Sequence, residues 1–162
     1  MVNSMRGYVR AEDLFAAARD ASRERMSALR QIEILESKRG ISSPGMGRGY
    51  SSLDANRVSG TLDLLEYRRI MDSRIESDER LLSYATEVLY GADGRGGVAA
   101  LLSSRHADAV FWRYLSAEPW KTCSACLGEP EPTLKRMCRE VFELCDSLGF
   151  DRVIAGKGAA CE

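Results

Sequence analysis

Two long stretches of helical periodicity, separated by a glycine-rich segment, constrain this chain more than any other feature of its sequence. Within residues 10–38 and again within 53–90, apolar side chains recur at spacings of three and four residues, the period of one face of an α-helix. They are Leu14, Ala18, Ala21, Ala28, Ile32 and Leu35 in the first stretch, and Leu64, Tyr67, Met71, Leu81, Ala85 and Val88 in the second. Arg25 interrupts the first series, and Arg74 and Asp78 interrupt the second. The pattern predicts two long amphipathic helices.

The segment between them, residues 39–52, is rich in glycine and contains a proline, so it is predicted to be a loop. Ser51 and Ser52 are candidates for the N-cap of the second helix. Helices of roughly 43 and 57 Å, at ~1.5 Å per residue, are too long for a compact globule and are expected to pair as an antiparallel hairpin. A hairpin leaves apolar side chains exposed along its edge. Self-association into a dimer or a four-helix arrangement, or docking on a partner, would cover them, and we favour a homodimer.

Residues 91–97, Gly-Ala-Asp-Gly-Arg-Gly-Gly, follow the second helix. A phosphate-binding loop would need a preceding strand and a Gly-Lys-Ser or Gly-Lys-Thr sequence, and the segment has neither. It is therefore predicted to be a flexible hinge between a helical hairpin, residues 1–90, and a C-terminal domain, residues 98–148. The tail, residues 149–162, is expected to pack as a short extended piece or to stay loose.

The C-terminal domain divides into four shorter helices, predicted at 98–102, 105–115, 119–127 and 132–148. Ser103 and Ser104 are candidate N-caps for the second of these. Pro119 and Pro132 fit the first turn of a helix, where the missing N–H costs no hydrogen bond. Because no strand is predicted, the expected fold class is all-α.

The last two predicted helices are separated by residues 128–131, a short glycine-containing connection of the helix-turn-helix kind. Such a motif needs a small residue in the first helix, a glycine at the turn and apolar residues on the inner face of the second helix. Ser124 and Gly128 meet the first two requirements, and Leu134 and Met137 meet the third. The inner face of the first helix is completed by Trp120, Cys123 and Leu127.

The outward positions at the start of the last helix are mostly basic: Thr133, Lys135, Arg136 and Arg139. In a helix-turn-helix, the first turns of this helix enter the major groove of DNA. Lys121 and Arg113 are placed to contact the DNA backbone from the preceding helices. The same side chains also fit an ordinary solvated helix face, and Glu129 and Glu131 in the turn would lie near phosphates and count against DNA.

The overall charge limits how DNA could be bound. The chain has 23 Lys and Arg against 24 Asp and Glu, a net charge of −1, whereas strong non-specific binding depends on many phosphate contacts. Any DNA binding must therefore come from locally clustered charge. Because no run approaches the ~18 consecutive apolar residues of a membrane span and no secretory signal begins the sequence, we expect a cytoplasmic protein that makes no use of a membrane.

The five cysteines all lie near the C-terminal end, at positions 123, 126, 138, 145 and 161. Their odd number without a secretory context indicates reduced thiols. A zinc site at Cys123 and Cys126 is disfavoured by their helical context and by the single histidine, His106, so the cysteines are expected to be small core residues. The lone histidine also leaves no Ser/His/Asp or Cys/His set, and we expect no catalytic residue, no cofactor and no metal.

Residues 107–128, ADAVFWRYLSAEPWKTCSACLG, resemble the region-4-type helix-turn-helix of sigma-70-like factors. The resemblance continues through Thr133-Leu134-Lys135-Arg136 and Val141-Phe142. The chain is more similar to phage-encoded proteins in which a long charged helical half precedes the helix-turn-helix, a group that includes transcriptional activators of the ArpU and RinA kind. The specific matches are Arg113-Tyr114-Leu115, Trp120, Leu127-Gly128 and Arg136.

This resemblance implies a phage or prophage transcription regulator that binds double-stranded DNA through Thr133, Lys135, Arg136 and Arg139. Its N-terminal hairpin would then dimerise or contact host RNA polymerase. Two other interpretations keep the same architecture. Small terminase-like DNA-packaging proteins also join a helix-turn-helix to oligomerising helices, and a ring of many subunits would indicate them. The third interpretation is a helical adaptor that does not bind DNA, in which the degenerate helix-turn-helix has only a structural role. The near-neutral charge is compatible with it.

Overall fold

The computed structural model describes residues 7–40 and 53–158, and among these the side chains of 7–38 and 63–158. Within these ranges every regular element is helical and there is no strand, which confirms the all-α prediction. Most of the predicted loop 39–52, with its candidate caps, and Cys161 lie outside the described residues.

The two long helices are α1, Ala11–Gly40, and α2, Leu53–Tyr90, which confirms both predicted spans to within two residues. Glu12 stands in the first turn of α1, where a carboxylate stabilises the positive end of the helix dipole. The backbone N–H of Ala11 donates to the carboxylate of Asp146 at 2.7 Å. A residue from the far end of the chain therefore satisfies one of the free donors at the start of α1.

Shorter helices follow α2: α3 (Gly97–Leu101), α4 (Ser104–Val110), α5 (Trp120–Leu127), α6 (Glu131–Leu148) and α7 (Phe150–Ile154). Ser103 is the N-cap of α4, because its side chain accepts the backbone N–H of His106 at 3.3 Å. The predicted helix 105–115 changes its winding partway. Phe111–Leu115 forms a π-helical turn, in which the N–H of Ser116 donates to the carbonyl of Phe111 at 2.9 Å.

The chain forms two compact units. The large unit comprises Met1–Arg23 and Asp78–Glu162, and the small unit comprises Glu24–Ser77. This division differs from the predicted one between 1–90 and 98–148. The physical reason is that the start of α1 and the end of α2 share a core with the shorter helices.

The core of the large unit is built by helices packed on helices. Phe15 of α1, Leu89 of α2, Val110 of α4 and Leu134 of α6 are all fully buried in it. Burying a side chain of this size contributes about 1.5–3 kcal/mol. This shared core holds the helix-turn-helix against the start of α1.

The small unit is a pair of helices with a narrow apolar stripe. Ala28 and Ile32 of α1 pack with Met71 and Ile75 of α2, and Tyr67 lies beside them half-buried. The described part of this unit thus confirms the predicted pairing of the long helices.

The glycine segment 91–97 is a close-packed turn and not the predicted flexible hinge. Gly97 has a φ of +71°, and a Cβ there would lie 2.5 Å from the backbone of Leu89 and Tyr90. A Cβ at Gly96 would overlap the carbonyl oxygen of Ile154. Only glycine fits where two stretches of backbone approach this closely, and hinge motion would have to break that packing.

The beginning of the tail also differs from its prediction as an extended or loose piece. Residues 150–154 form α7, with Val153 fully buried in the core of the large unit. Gly149, with a φ of +82°, ends α6 and allows the chain to turn directly into α7. The sequence around Val153 and Ile154 does not predict this helix, because five residues are too few to show a helical period.

Candidate nucleic-acid interface

The helix-turn-helix consists of α5, a three-residue turn and α6. Gly128 ends α5 in the left-handed conformation, with a φ of +67°, which is the usual role of a glycine at a helix C-terminus. Ser124 donates from its hydroxyl to the carbonyl of Glu129 at 2.6 Å and so fastens the turn to α5. The small residue and the turn glycine predicted from the sequence thus both serve the turn.

The inner faces of the two helices pack as the spacing predicts. Cys123 of α5 is fully buried, and Trp120 and Leu127 are half-buried against the same core. On α6 the buried residues recur at spacings of four and three: Leu134, Cys138, Val141 and Cys145. This stripe fixes which side of α6 faces solvent.

The predicted contact residues lie on the opposite side of α6. Lys135, Arg136 and Arg139 are exposed, whereas Thr133 is half-buried. Lys135 pairs with Glu131 at 3.9 Å and Arg136 with Glu140 at 3.7 Å, both one helical turn apart. Arg139 forms no ion pair with any carboxylate in the described part of the chain.

Lys121 and Arg113, the two residues predicted to contact the DNA backbone, differ in their exposure and in their existing contacts. Lys121 is exposed on the first turn of α5. Arg113 is half-buried: its guanidinium carbon lies 4.6 Å from the centroid of the Trp120 ring, and its Nη1 donates to the carbonyl of Glu118 at 3.0 Å. The amine of Lys135 lies 5.5 Å from the same ring. The structure therefore brings Arg113 and Lys135 together around one tryptophan.

The turn glutamates that count against DNA are both ion-paired. Glu129 pairs with Arg105, and its side chain is only 22% exposed. Glu131 pairs with Lys135 as described above. Each pairing partly cancels the negative charge that would otherwise meet a phosphate.

Sequence reasoning missed a polar link between α4 and α6. The ring of His106 lies between two partners: Nδ1 is 2.7 Å from the hydroxyl of Ser103, and Nε2 is 2.6 Å from a carboxylate oxygen of Glu140. The link holds the middle of α6 to α4. The only sequence signal was Ser103 as a cap, because Glu140 lies 34 residues away along the chain.

Sequence reasoning also missed Arg19 of α1. This residue is half-buried, and its Nε is buried without a hydrogen-bond partner in the described part of the chain. Burial lowers the pKa of Arg19, and the nearby positive charges of Arg113 and Arg23 lower that pKa further. The helical period alone shows only that Arg19 follows Phe15 by one turn.

The cysteines of the helix-turn-helix are mostly core residues. Cys123, Cys138 and Cys145 are buried, and burial raises the pKa of Cys138 and of Cys145 to about 12. Thiols in this state are poor nucleophiles, because the thiolate is the reactive form. Cys126 is exposed. Within the described ranges no three His, Cys, Asp or Glu residues are grouped so that they could hold a metal ion.

No family model, no curated protein and no solved structure matches this chain. In the part of the chain that the structure describes, no helix is both long and apolar enough to cross a membrane.

Proposed function

We propose that this protein is a sequence-specific DNA-binding transcription regulator of the phage type, which reads double-stranded DNA with α6. The observation that carries the proposal is the division of α6 into two faces. Its buried stripe packs into the core, and three exposed basic side chains stand on its first turns, next to a short glycine turn. A helix in this position can enter the major groove.

Each basic residue has an expected role. Arg136 and Arg139 would contact guanine edges or phosphates, and Thr133 and Lys135 would contact the DNA backbone near the start of α6. Lys121 and Arg113 would contact the backbone from the preceding elements. These six residues would form one interface within the large unit.

The existing ion pairs do not prevent this use. The pairs of Lys135 with Glu131 and of Arg136 with Glu140 are exposed and one turn apart. Such pairs contribute only ~0.3–0.5 kcal/mol, so breaking them to free Lys135 and Arg136 for DNA costs little.

The test is fluorescence anisotropy with duplexes made from genomic fragments, at several salt concentrations. We expect the wild type to bind with a log–log salt slope of several units, and the double variant Lys135→Glu/Arg136→Glu to lose binding. Once a site is known, Arg136→Ala should lose about 1–3 kcal/mol on that site. The matched control is Arg69→Glu/Arg74→Glu, which makes the same charge change on exposed positions of the small unit.

Equal binding by the wild type and the α6 double variant would remove α6 from the interface. Absence of binding by both at low salt would instead favour the helical adaptor, and the search would move to protein partners.

The small unit supports a proposal of self-association. Met26 and Leu65 are each 54% exposed, and Ile34 and Ile70 are 47% and 45% exposed. A second copy of the chain would cover these side chains, as expected for a helix pair with exposed apolar residues. A dimer in analytical ultracentrifugation would agree with a regulator, a large ring would favour DNA packaging, and a monomer would leave this surface for a partner such as RNA polymerase.

A further inference from the structure

A cluster of three aromatic rings places the start of α1 beside the helix-turn-helix. The ring of Phe15 lies 6.2 Å from that of Tyr114 and 5.6 Å from that of Phe142, and the last two lie 5.5 Å apart. Tyr114 belongs to the π-helical turn and Phe142 to α6. Because residues four apart share a helix face, Arg19 lies one turn beyond Phe15, next to the turn that carries Arg113.

A series of basic side chains leads from Arg19 to the start of α6. Arg113 neighbours Arg19, the Trp120 ring contacts the guanidinium of Arg113 at 4.6 Å, and the amine of Lys135 lies 5.5 Å from the same ring. Arg23 extends the cluster along α1. Among the described residues, no carboxylate forms an ion pair with Arg19, Arg23 or Arg113, although Asp20 is close enough to oppose part of the repulsion felt by Arg19.

This arrangement is unfavourable in the protein alone. Like charges held together repel one another, and a buried guanidinium nitrogen without a partner has lost its hydrogen bonds to water. A phosphate bound at this cluster would offset the repulsion, since it carries negative charge and offers several acceptor oxygens to an arginine.

The backbone that holds Arg113 is itself unusual. The π-helical turn inserts an extra residue into the helix. Just beyond it, Ala117 has a φ of +56°, which is unfavourable for a residue with a side chain. The carbonyl of Glu118, next to Ala117, accepts a hydrogen bond from the guanidinium of Arg113. Irregular helix turns and strained backbone of this kind concentrate at functional sites.

We propose that Arg19, Arg113 and Lys135 form one phosphate-binding surface around Trp120, which grips the backbone of the DNA beside the groove that α6 reads. The start of α1 is then part of the DNA-binding surface and not only a support for the core. This inference rests on the proposed function. It assigns Arg19 a positioning role on DNA that does not depend on base sequence.

Arg19→Met is the decisive variant, because methionine keeps much of the apolar stem of the side chain and removes the charge. We expect affinity to fall about 5–30-fold equally on all duplexes, and the log–log salt slope to decrease by about 1. Thermal unfolding without DNA should show the variant to be as stable as the wild type or more so, because repulsion is relieved. Arg30→Met, an exposed arginine further along α1, is the matched control and should change neither affinity nor slope.

A second arm separates this inference from the proposed function. Inorganic phosphate at millimolar concentration should raise the melting temperature of the wild type more than that of Arg19→Met. If the wild type binds DNA and Arg19→Met binds it with the same affinity and salt slope, the inference is wrong and the proposed function stands. If the wild type binds no DNA but phosphate stabilises it through Arg19, the anion site stands and the proposed function fails. Equal phosphate responses in a wild type that binds no DNA overturn both.

Discussion

The large and the small unit are built from the same two long helices, yet they differ in how much those helices bury. Among the residues whose side chains the structure describes, sections of α1 and α2 in the large unit share a core of eighteen buried residues with the shorter helices. In the described part of the small unit, the same two helices bury four residues between them. The apolar spacing is alike in both, so the difference comes from the number of elements that cover each helix.

The difference also explains where polar contacts lie. In the small unit, Tyr67 donates to Gln31 and Arg68 pairs with Glu36, and all of these contacts are exposed. In the large unit, Tyr90 donates to Asp108 at 2.6 Å in a partly buried position. Exposed polar contacts contribute little to stability, whereas buried ones are costly to break. Four predictions test this comparison.

The first prediction compares Leu14→Ala in the large unit with Ile32→Ala in the small unit. Both residues are buried on α1. We expect Leu14→Ala to lose about 4 kcal/mol of the free energy of unfolding, and Ile32→Ala about 2 kcal/mol, because a two-helix stripe can collapse around the missing atoms. Urea unfolding measures both, and equal losses would show that the two cores are packed alike.

The second prediction concerns the glycine turn of the large unit. Gly97 and Gly94 both have positive φ, +71° and +76°, but a Cβ at Gly97 would meet backbone at 2.5 Å and a Cβ at Gly94 would meet nothing within 4 Å. Gly94→Ala should cost only about 1 kcal/mol for its conformation, and Gly97→Ala about 3 kcal/mol, because overpacking is added. If both variants unfold at the same urea concentration, the segment is loose, as a hinge would be.

The third prediction compares two tyrosine hydroxyls. Tyr90→Phe should lose about 1–2 kcal/mol, because it leaves the partly buried carboxylate of Asp108 without its donor. Tyr67→Phe should lose less than about 0.5 kcal/mol, because Gln31 is exposed and water replaces the hydroxyl. Thermal unfolding of the two variants measures both losses of stability, and a larger loss for Tyr67→Phe would contradict the prediction.

The fourth prediction is a pH effect confined to the large unit, which holds all the described cysteines. Burial raises the pKa of Cys138 from 9.0 to about 12. Below pH 9 the thiol is neutral in both the folded and the unfolded chain, so it adds no pH dependence. Between pH 9 and 12 only the unfolded chain ionises, and stability falls by ~1.4 kcal/mol per pH unit at most.

Comparison with Cys138→Ala isolates that effect. The difference in the free energy of unfolding between the wild type and this variant should shrink by about 1 kcal/mol from pH 8 to pH 10. A difference that stays constant over this range would mean that the thiol ionises as readily in the folded chain as in the unfolded one.

The candidate site was predictable in part. The face of α6 followed from the spacing of its apolar residues, because a four-and-three period fixes which side of a helix is buried. Arg19 and His106 were not predictable, because each acquires its role from a residue far away in sequence. The sequence predicts a hinge at the glycine turn for the same reason, since the backbone packed against Gly96 comes from Ile154.

The sequence by itself determined which segments are helical except for α7, where most of these helices begin and end, and which face of each long helix is apolar. These properties depend on neighbours within about four residues, so local spacing and capping residues contain them. Only the tertiary structure decided which helices share a core, which glycines are compressed and which charges meet. Those outcomes depend on contacts between residues far apart in the sequence, such as Gly96 with Ile154 and Ala11 with Asp146, and no local pattern encodes them.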